Sequence, residues 1–217
     1  METIIKLRLV GSGYLLAILA GLLSITPAVD SPDFLHQIPA QRGQVQAAIF
    51  FQLLISFAYV AVAVLLYPFF TKVGSTLSIG FLLLKISAAI LSLIGTAVLF
   101  SIFRISIMAH ATSTSAYDSL DYFGQTLKDT RDFINHFLMV LVLCTANILL
   151  YVLTWRSRLV PRWLSCWGIW ASILSMVASC LVFFDGLEII STAYILLNSA
   201  TALHEIVFAV QLIRQGR

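Results

Sequence analysis

Two ionisable side chains, Lys85 and Glu205, stand inside long apolar runs, and they are the residues of this sequence most in need of a chemical explanation. Lys85 lies 13 residues beyond Lys72 and Glu205 nine before Arg214. At about 1.5 Å per helical residue, both reach the middle depth of a membrane-spanning helix. A charge there costs about 2.5–3.5 kcal/mol on insertion scales, which a partner, water or a change of protonation must offset. Antiparallel third and sixth helices, with the reach of a lysine side chain, bring the two within range, so each is a candidate partner for the other.

Polar residues at helical spacing extend the pair into a candidate interior. Tyr194, Asn198, Thr201 and Glu205 follow steps of four, three and four, and Ser78, Lys85, Ser92 and Thr96 follow steps of seven, seven and four. Each set falls on one helix face. Gln52, Ser56 and Tyr59 share one side of the second helix, and His136 and Asn147 lie on nearly one face of the fourth. Turned inward, these stripes make a polar cavity with Lys85 and Glu205 at its floor and His136 near its outer mouth. A packing reading stands beside it: Ser, Thr, Asn and Gln hydrogen-bond across membrane helices for about 0.6–2 kcal/mol each, and a buried Lys–Glu pair can set helix register without a ligand.

The elements that must hold these residues are transmembrane helices. Hydrophobic residues make up 60% of the chain and charged residues 11%, against about 25% charged in an ordinary soluble domain. Six runs reach the length of about 20 residues that a span needs: residues 11–29, 46–69, 75–103, 132–155, 163–184 and 189–213. The fold expected is a single all-α domain over residues 1–217, a polytopic bundle of six transmembrane helices. The third run is long enough to tilt or project from the bilayer. The first is longer than a signal-peptide core and lacks a good cleavage pattern, so it is expected to be retained, with Gly13, Ala17 and Gly21 letting another helix approach closely.

Basic residues in short loops favour the cytoplasmic side. With the N-terminus inside, the inner set holds Lys6, Arg8, Lys72, Arg156, Arg158, Arg162, Arg214 and Arg217, and the outer set only Arg42, Arg104, Lys128 and Arg131. Both termini are therefore expected in the cytoplasm. The acidic residues Asp30, Asp33, Asp118, Asp121, Asp129, Asp132, Asp185 and Glu188 fall outside. The net charge of +3 reports this topology and implies no nucleic-acid partner. Trp155, Trp163, Trp167 and Trp170 cluster around an inner connection, at headgroup level.

Inner connections are short and carry Pro68 and Pro161, leaving no room for a soluble catalytic domain. On the outer side, residues 30–45 and 104–131 are longer. Phe34, Leu35 and Ile38 among polar neighbours are expected to form a short interfacial helix, serving as a plain surface connection in preference to a lid. Cys144, Cys166 and Cys180 read as small apolar residues and not as a disulfide set. His36, His110, His136 and His204 are scattered, and His204 and Glu205, being adjacent, diverge by about 100° on a helix. No metal or cofactor is expected, and His204 alone reads as structural.

Particular runs resemble a bacterial membrane family. They are Gly13-Tyr14-Leu15-Leu16, Leu65-Leu66-Tyr67-Pro68, Leu84-Lys85-Ile86, Leu150-Tyr151, Arg156-Ser157-Arg158-Leu159-Val160-Pro161-Arg162-Trp163-Leu164 with Gly168, and His204-Glu205 with Leu212. The family is the one catalogued as domain of unknown function 4386, and the resemblance covers nearly the whole chain. Its most specific part is the Arg156 to Leu164 connection. The resemblance implies a helical bundle in the bacterial inner membrane and no particular reaction. In that family the position of Lys85 more often carries Arg, so here the charge is kept and the fork of donors is lost.

Three function classes follow. In the first, the polar interior of Lys85, Glu205, Asn198, Tyr194, Thr201, Gln52, Tyr59, His136 and Asn147 binds or moves a small solute, proton or ion. In the second, a non-catalytic membrane factor binds a partner membrane protein through its lipid-facing helices or outer segments. The third, an intramembrane enzyme with His136 or Glu205 as base, ranks last, because a base without a nucleophile, metal or oxyanion donor makes no site. The lipid bilayer is the one partner common to all three.

Overall fold

The computed structural model describes residues 2–110, 114–184, 186–189 and 191–215, so Asp185 and Arg217 of the topology argument lie outside the described residues. The chain forms α1 (Glu2–Leu23), two short helices α2 (Pro27–Asp30) and α3 (Phe34–Ala40), α4 (Arg42–Phe70), α5 (Ser75–His110), α6 (Thr114–Asp132), a π-helical turn (Phe133–Leu138), α7 (Met139–Ser157), α8 (Arg162–Phe183) and α9 (Thr192–Gln215). Six helices are long and apolar enough to cross a membrane: α1, α4, α5, the continuous rod from Tyr117 through the π turn to Ser157, α8 and α9. The protein is an all-α polytopic transmembrane bundle, as expected.

The six spans close into a ring. Each packs on the next in sequence, from α1 through α4, α5, α7 and α8 to α9, and α9 returns to α1. The outward faces carry the largest apolar side chains: Phe50, Phe57 and Val64 on α4, and Ile79, Leu83, Ile90 and Ile94 on α5, are all exposed. The inward faces of the same helices carry Ser56, Ala63, Ser78, Ala88, Ser92 and Thr96, all buried. This is the arrangement lipid solvent selects, because helices gain more from close approach and interhelical hydrogen bonds than from hiding apolar surface.

Gly11 and Gly168 show how close that approach is. A Cβ on Gly11 would sit 2.6 Å from the Ala209 carbonyl oxygen of α9, and one on Gly168 would meet Tyr151 at 2.6 Å and His204 at 2.7 Å. Of the Gly13, Ala17 and Gly21 series, Gly13 faces Val62 of α4, whereas a Cβ on Gly21 would meet nothing within 4 Å. Gly21 borders a cavity instead of a helix.

Several boundaries move. α5 runs on to His110 instead of ending at Phe103, and α6 continues the fourth span as a polar helix well before Asp132. The segment carrying Phe34, Leu35 and Ile38 is helical, as expected, but its apolar face is turned into the protein, so it is more than a plain surface connection. Those three side chains are at most 1% exposed and form a second core with Val45, Leu99, Ile102 and Phe103. Gly124 of α6 makes room for them, since a Cβ there would lie 2.9 Å from Phe34. At the opposite end, the connection from Arg156 to Leu164 is a tight helical hairpin. Arg158 takes the left-handed conformation (φ 55°) that closes α7, Pro161 precedes the first turn of α8, and the Thr154 and Ser165 hydroxyls meet at 2.9 Å across it.

Candidate functional site

At the centre of the ring, Lys85 is fully buried. Its Nζ donates to Asn147 Oδ1 of α7 at 3.0 Å and lies 4.6 Å from the Tyr59 ring centre on α4 and 5.7 Å from that of Tyr14 on α1. Glu205 of α9 approaches the same group: its carboxylate feels both Lys85 and the Asn147 side chain. Among the described residues the ion pairs are Lys6 with Glu2 and Arg131 with Asp30 and Asp132, so Lys85 and Glu205 form none. Asn147 is the neighbour they share. Around them the Tyr14 and Tyr151 hydroxyls are buried without a hydrogen-bond partner. A cation this deep is held by one neutral acceptor and the faces of two aromatic rings, which is how a lysine can stay charged away from water.

A cavity of about 320 Å³ opens at the end of the bundle where α1 finishes, and its lining includes Gln52, Tyr59, Ser92, Asn135, His136 and the Asp30–Arg131 pair. Tyr59 belongs to both features: it lines the cavity and its ring lies against the Lys85 ammonium. The charged cluster thus sits behind Tyr59 and does not itself line the cavity. The π-helical turn places Asn135 and His136 on this lining. A π turn widens the helix by a residue and is frequent at functional sites. It also changes the phase on which the shared face of His136 and Asn147 rests: His136 faces the cavity and Asn147 faces Lys85. Asn135 fits against α5 only because residue 95 is glycine, whose absent Cβ would collide with the Asn135 amide.

The expected site residues therefore divide. Gln52, Tyr59 and His136 line the cavity, while Lys85, Asn147 and Glu205 form the buried cluster. Tyr194 touches the first group through His136, its hydroxyl 3.3 Å from Nδ1. Asn198 and Thr201 are engaged in the bundle: Asn198 Nδ2 donates to the Tyr194 carbonyl at 2.9 Å, and Thr201 Oγ1 donates to the Ala171 carbonyl at 3.0 Å and meets Ser175 Oγ at 2.7 Å. His204 is also structural, its Nε2 2.9 Å from the Leu164 carbonyl and its ring among Tyr151, Trp167 and Phe208.

Sequence reasoning missed Asp30, Arg131, Thr26 and Asn135. Arg131 reads as an outer-loop cation, yet it is 6% exposed, and its NH1 donates to Asp30 Oδ1 at 2.9 Å and Asp132 Oδ1 at 3.0 Å. Lys128 Nζ ties α6 to the same corner by donating to the carbonyls of Asp30 and Ser31 at 3.0 and 3.1 Å. The one signal for this cluster is opposite charge at the ends of two spans separated by 101 residues, which spacing rules do not join.

Fold and site together define a polytopic membrane protein, a six-helix ring with a cavity of mixed polar and apolar lining at one end and a buried cation behind it. Within that class the chain belongs to the family described as domain of unknown function (DUF4386), whose model matches residues 9–216. No curated protein and no solved structure matches the chain.

Proposed function

We propose that this protein binds a small polar solute in the cavity beside Tyr59, as a transport or sensing protein of a bacterial cytoplasmic membrane with both termini inside. In that orientation the cavity opens to the outside. The observation that carries the reading is a recess of about 320 Å³ in which a few polar side chains stand among apolar ones, at the low end of the size range of small-molecule sites and with their mixed lining. Its lining presents Gln52, Asn135, His136 and Arg131 to a space ringed by helices. Tyr59 provides the coupling: a solute that displaces its ring disturbs the contact with the Lys85 ammonium at 4.6 Å, and so the charge balance of Lys85, Asn147 and Glu205. The basic residues at the Arg156–Arg162 end support the orientation, since such residues are retained inside.

The test is thermal stability of the purified protein in detergent against a panel of small polar compounds, followed by uptake into liposomes of any that stabilise. A stabilising compound whose effect is lost in Gln52→Leu, with the unliganded melting curve unchanged, supports the reading. No stabilisation by any compound, together with copurification of a second membrane protein, would replace it with the partner-binding alternative.

A further inference from the structure

We propose that a recess at the other end of the ring from the Tyr59 cavity holds the headgroup of an anionic phospholipid, its phosphate received by Arg158 and Arg162. The recess measures about 500 Å³ and lies between the hairpin that joins α7 to α8 and the last turns of α9, with Arg158, Pro161, Arg162, Gln211 and Gln215 in its lining. Both arginines are exposed, so a ligand reaches their guanidinium groups directly. Those groups are planar forks of donors that match phosphate oxygens. Arg162 is steadied by Trp155, whose ring centre lies 5.4 Å from its guanidinium carbon, so less order has to be imposed on it when a phosphate binds. Arg158 stands at φ 55°, a conformation that glycine adopts at a helix end without strain. An arginine kept there puts a cation on the recess at a conformational cost, and strain of this kind collects at ligand sites.

The surroundings decide which phosphate fits. No aspartate or glutamate is in the lining, and among the described residues neither arginine forms an ion pair. A headgroup of net negative charge gains the full attraction, whereas the ammonium of a zwitterionic headgroup meets no carboxylate there. Basic recesses between the ends of membrane helices take anionic headgroups on this principle. The depth suits a headgroup too: Trp163 stacks on Trp167 beside the hairpin, ring centres 6.2 Å apart, and indoles settle at that level. From Gln215 and Gln211, α9 continues in steps of four to Val207 and Leu203, both exposed. Residues so spaced share a helix face, so the polar recess runs on into an apolar surface against which acyl chains lie. A free phosphate would use the arginines alone; the continuous apolar face selects a lipid. Retention of basic residues on one side of the membrane accounts for the charge of this end, but not for two of its arginines meeting two glutamines around one recess. The site is separate from the Tyr59 cavity and does not depend on the solute reading.

The experiment measures binding to the purified full chain in detergent by native mass spectrometry and thermal shift, with phosphatidylglycerol, phosphatidylcholine and water-soluble glycerol phosphate as probes. Phosphatidylglycerol is expected to bind and to raise the melting temperature, phosphatidylcholine to bind at least about fivefold more weakly, and glycerol phosphate not to displace the lipid. Arg158→Gly relieves the backbone strain, so the lipid-free protein should melt no lower than the parent. Its affinity for phosphatidylglycerol should nevertheless fall about fivefold, the effect of one basic side chain beside an anionic headgroup. Arg162→Lys keeps the charge, loses the fork and should weaken the lipid as well. Arg214→Gln removes an equal charge from an exposed position of α9 that does not line the recess, and should leave the affinity unchanged. Phosphatidylcholine binding as tight as that of phosphatidylglycerol, an affinity unmoved by Arg158→Gly, or an equal loss in Arg214→Gln would overturn the site. Displacement of phosphatidylglycerol by an equal concentration of glycerol phosphate would overturn the lipid and leave the arginines as a site for a free phosphate.

Discussion

Replacing Lys85 by methionine keeps a side chain of similar length and removes the one cation at the centre of the ring. The loss can be worked from its contacts. The Nζ bond to Asn147 at 3.0 Å is a hydrogen bond from a charged donor, worth about 1.5–3 kcal/mol, and the desolvated contacts with Tyr59 and Tyr14 add about 0.5–2 kcal/mol. Glu205 is then left without its neighbouring cation, so Lys85→Met should destabilise the fold by about 3–5 kcal/mol. Glu205→Gln should cost less, about 1–2 kcal/mol, because Lys85 keeps Asn147 and both rings. The double variant then measures how the two charges couple. In contact, at about 4 Å and an effective dielectric of about 20, they would interact by about 4 kcal/mol. Asn147 is a neighbour of both and no direct ion pair forms, so a coupling of about 1–2 kcal/mol is expected. The assay is reversible unfolding in mixed micelles under denaturing-detergent titration. A Lys85→Met variant within about 0.5 kcal/mol of the parent would refute the buried cation, and a coupling near the contact value would refute the bridged arrangement.

Two glycines of the ring should respond in opposite directions. Gly168→Ala drives a methyl group into Tyr151 and His204 and should cost about 1–3 kcal/mol, whereas Gly21→Ala meets open space and should be neutral or gain about 0.5–1 kcal/mol; thermal melts of both, side by side, check the pair. Lys128→Met removes the tie between α6 and the carbonyls of Asp30 and Ser31, so amide exchange over residues 27–40 should speed up while that of α8 stays unchanged. Single cysteines at Lys128 and Arg158, in a chain lacking its own three, should label with an impermeant maleimide from the outside at residue 128 and from the inside at residue 158; the swapped pattern would refute the orientation proposed for the cavity.

Much of the site was legible because helical periodicity acts over short range. The Ser78, Lys85, Ser92 and Thr96 stripe is buried along its whole length, as spacing on one helix predicts. What spacing could not convey is which stripe meets which. Thr201 stands on the same stripe as Glu205, yet it is committed to Ala171 and Ser175 of α8, because α9 lies between α1 and α8 in the ring and turns that part of its polar face to α8. His136 and Asn147 separated in the same way, since the phase argument assumed an unbroken α-helix and the chain makes a π turn at Phe133–Leu138.

By itself the amino-acid sequence determined the solvent, the helices and the burial of a charge: runs of about 20 apolar residues have one stable form in lipid, because every backbone polar group must be satisfied within its own segment. The tertiary structure decided the partners. Closing six helices into a ring brings Asp30 to Arg131 across 101 residues, sets Asn147 beside both Lys85 and Glu205, and gathers Gln52, Tyr59 and His136 around one cavity. Those relations depend on the rotation of each helix about its axis and on its depth against its neighbours, and both are set by close packing around small residues such as Gly11, Gly95 and Gly168, which no residue spacing along a single helix encodes.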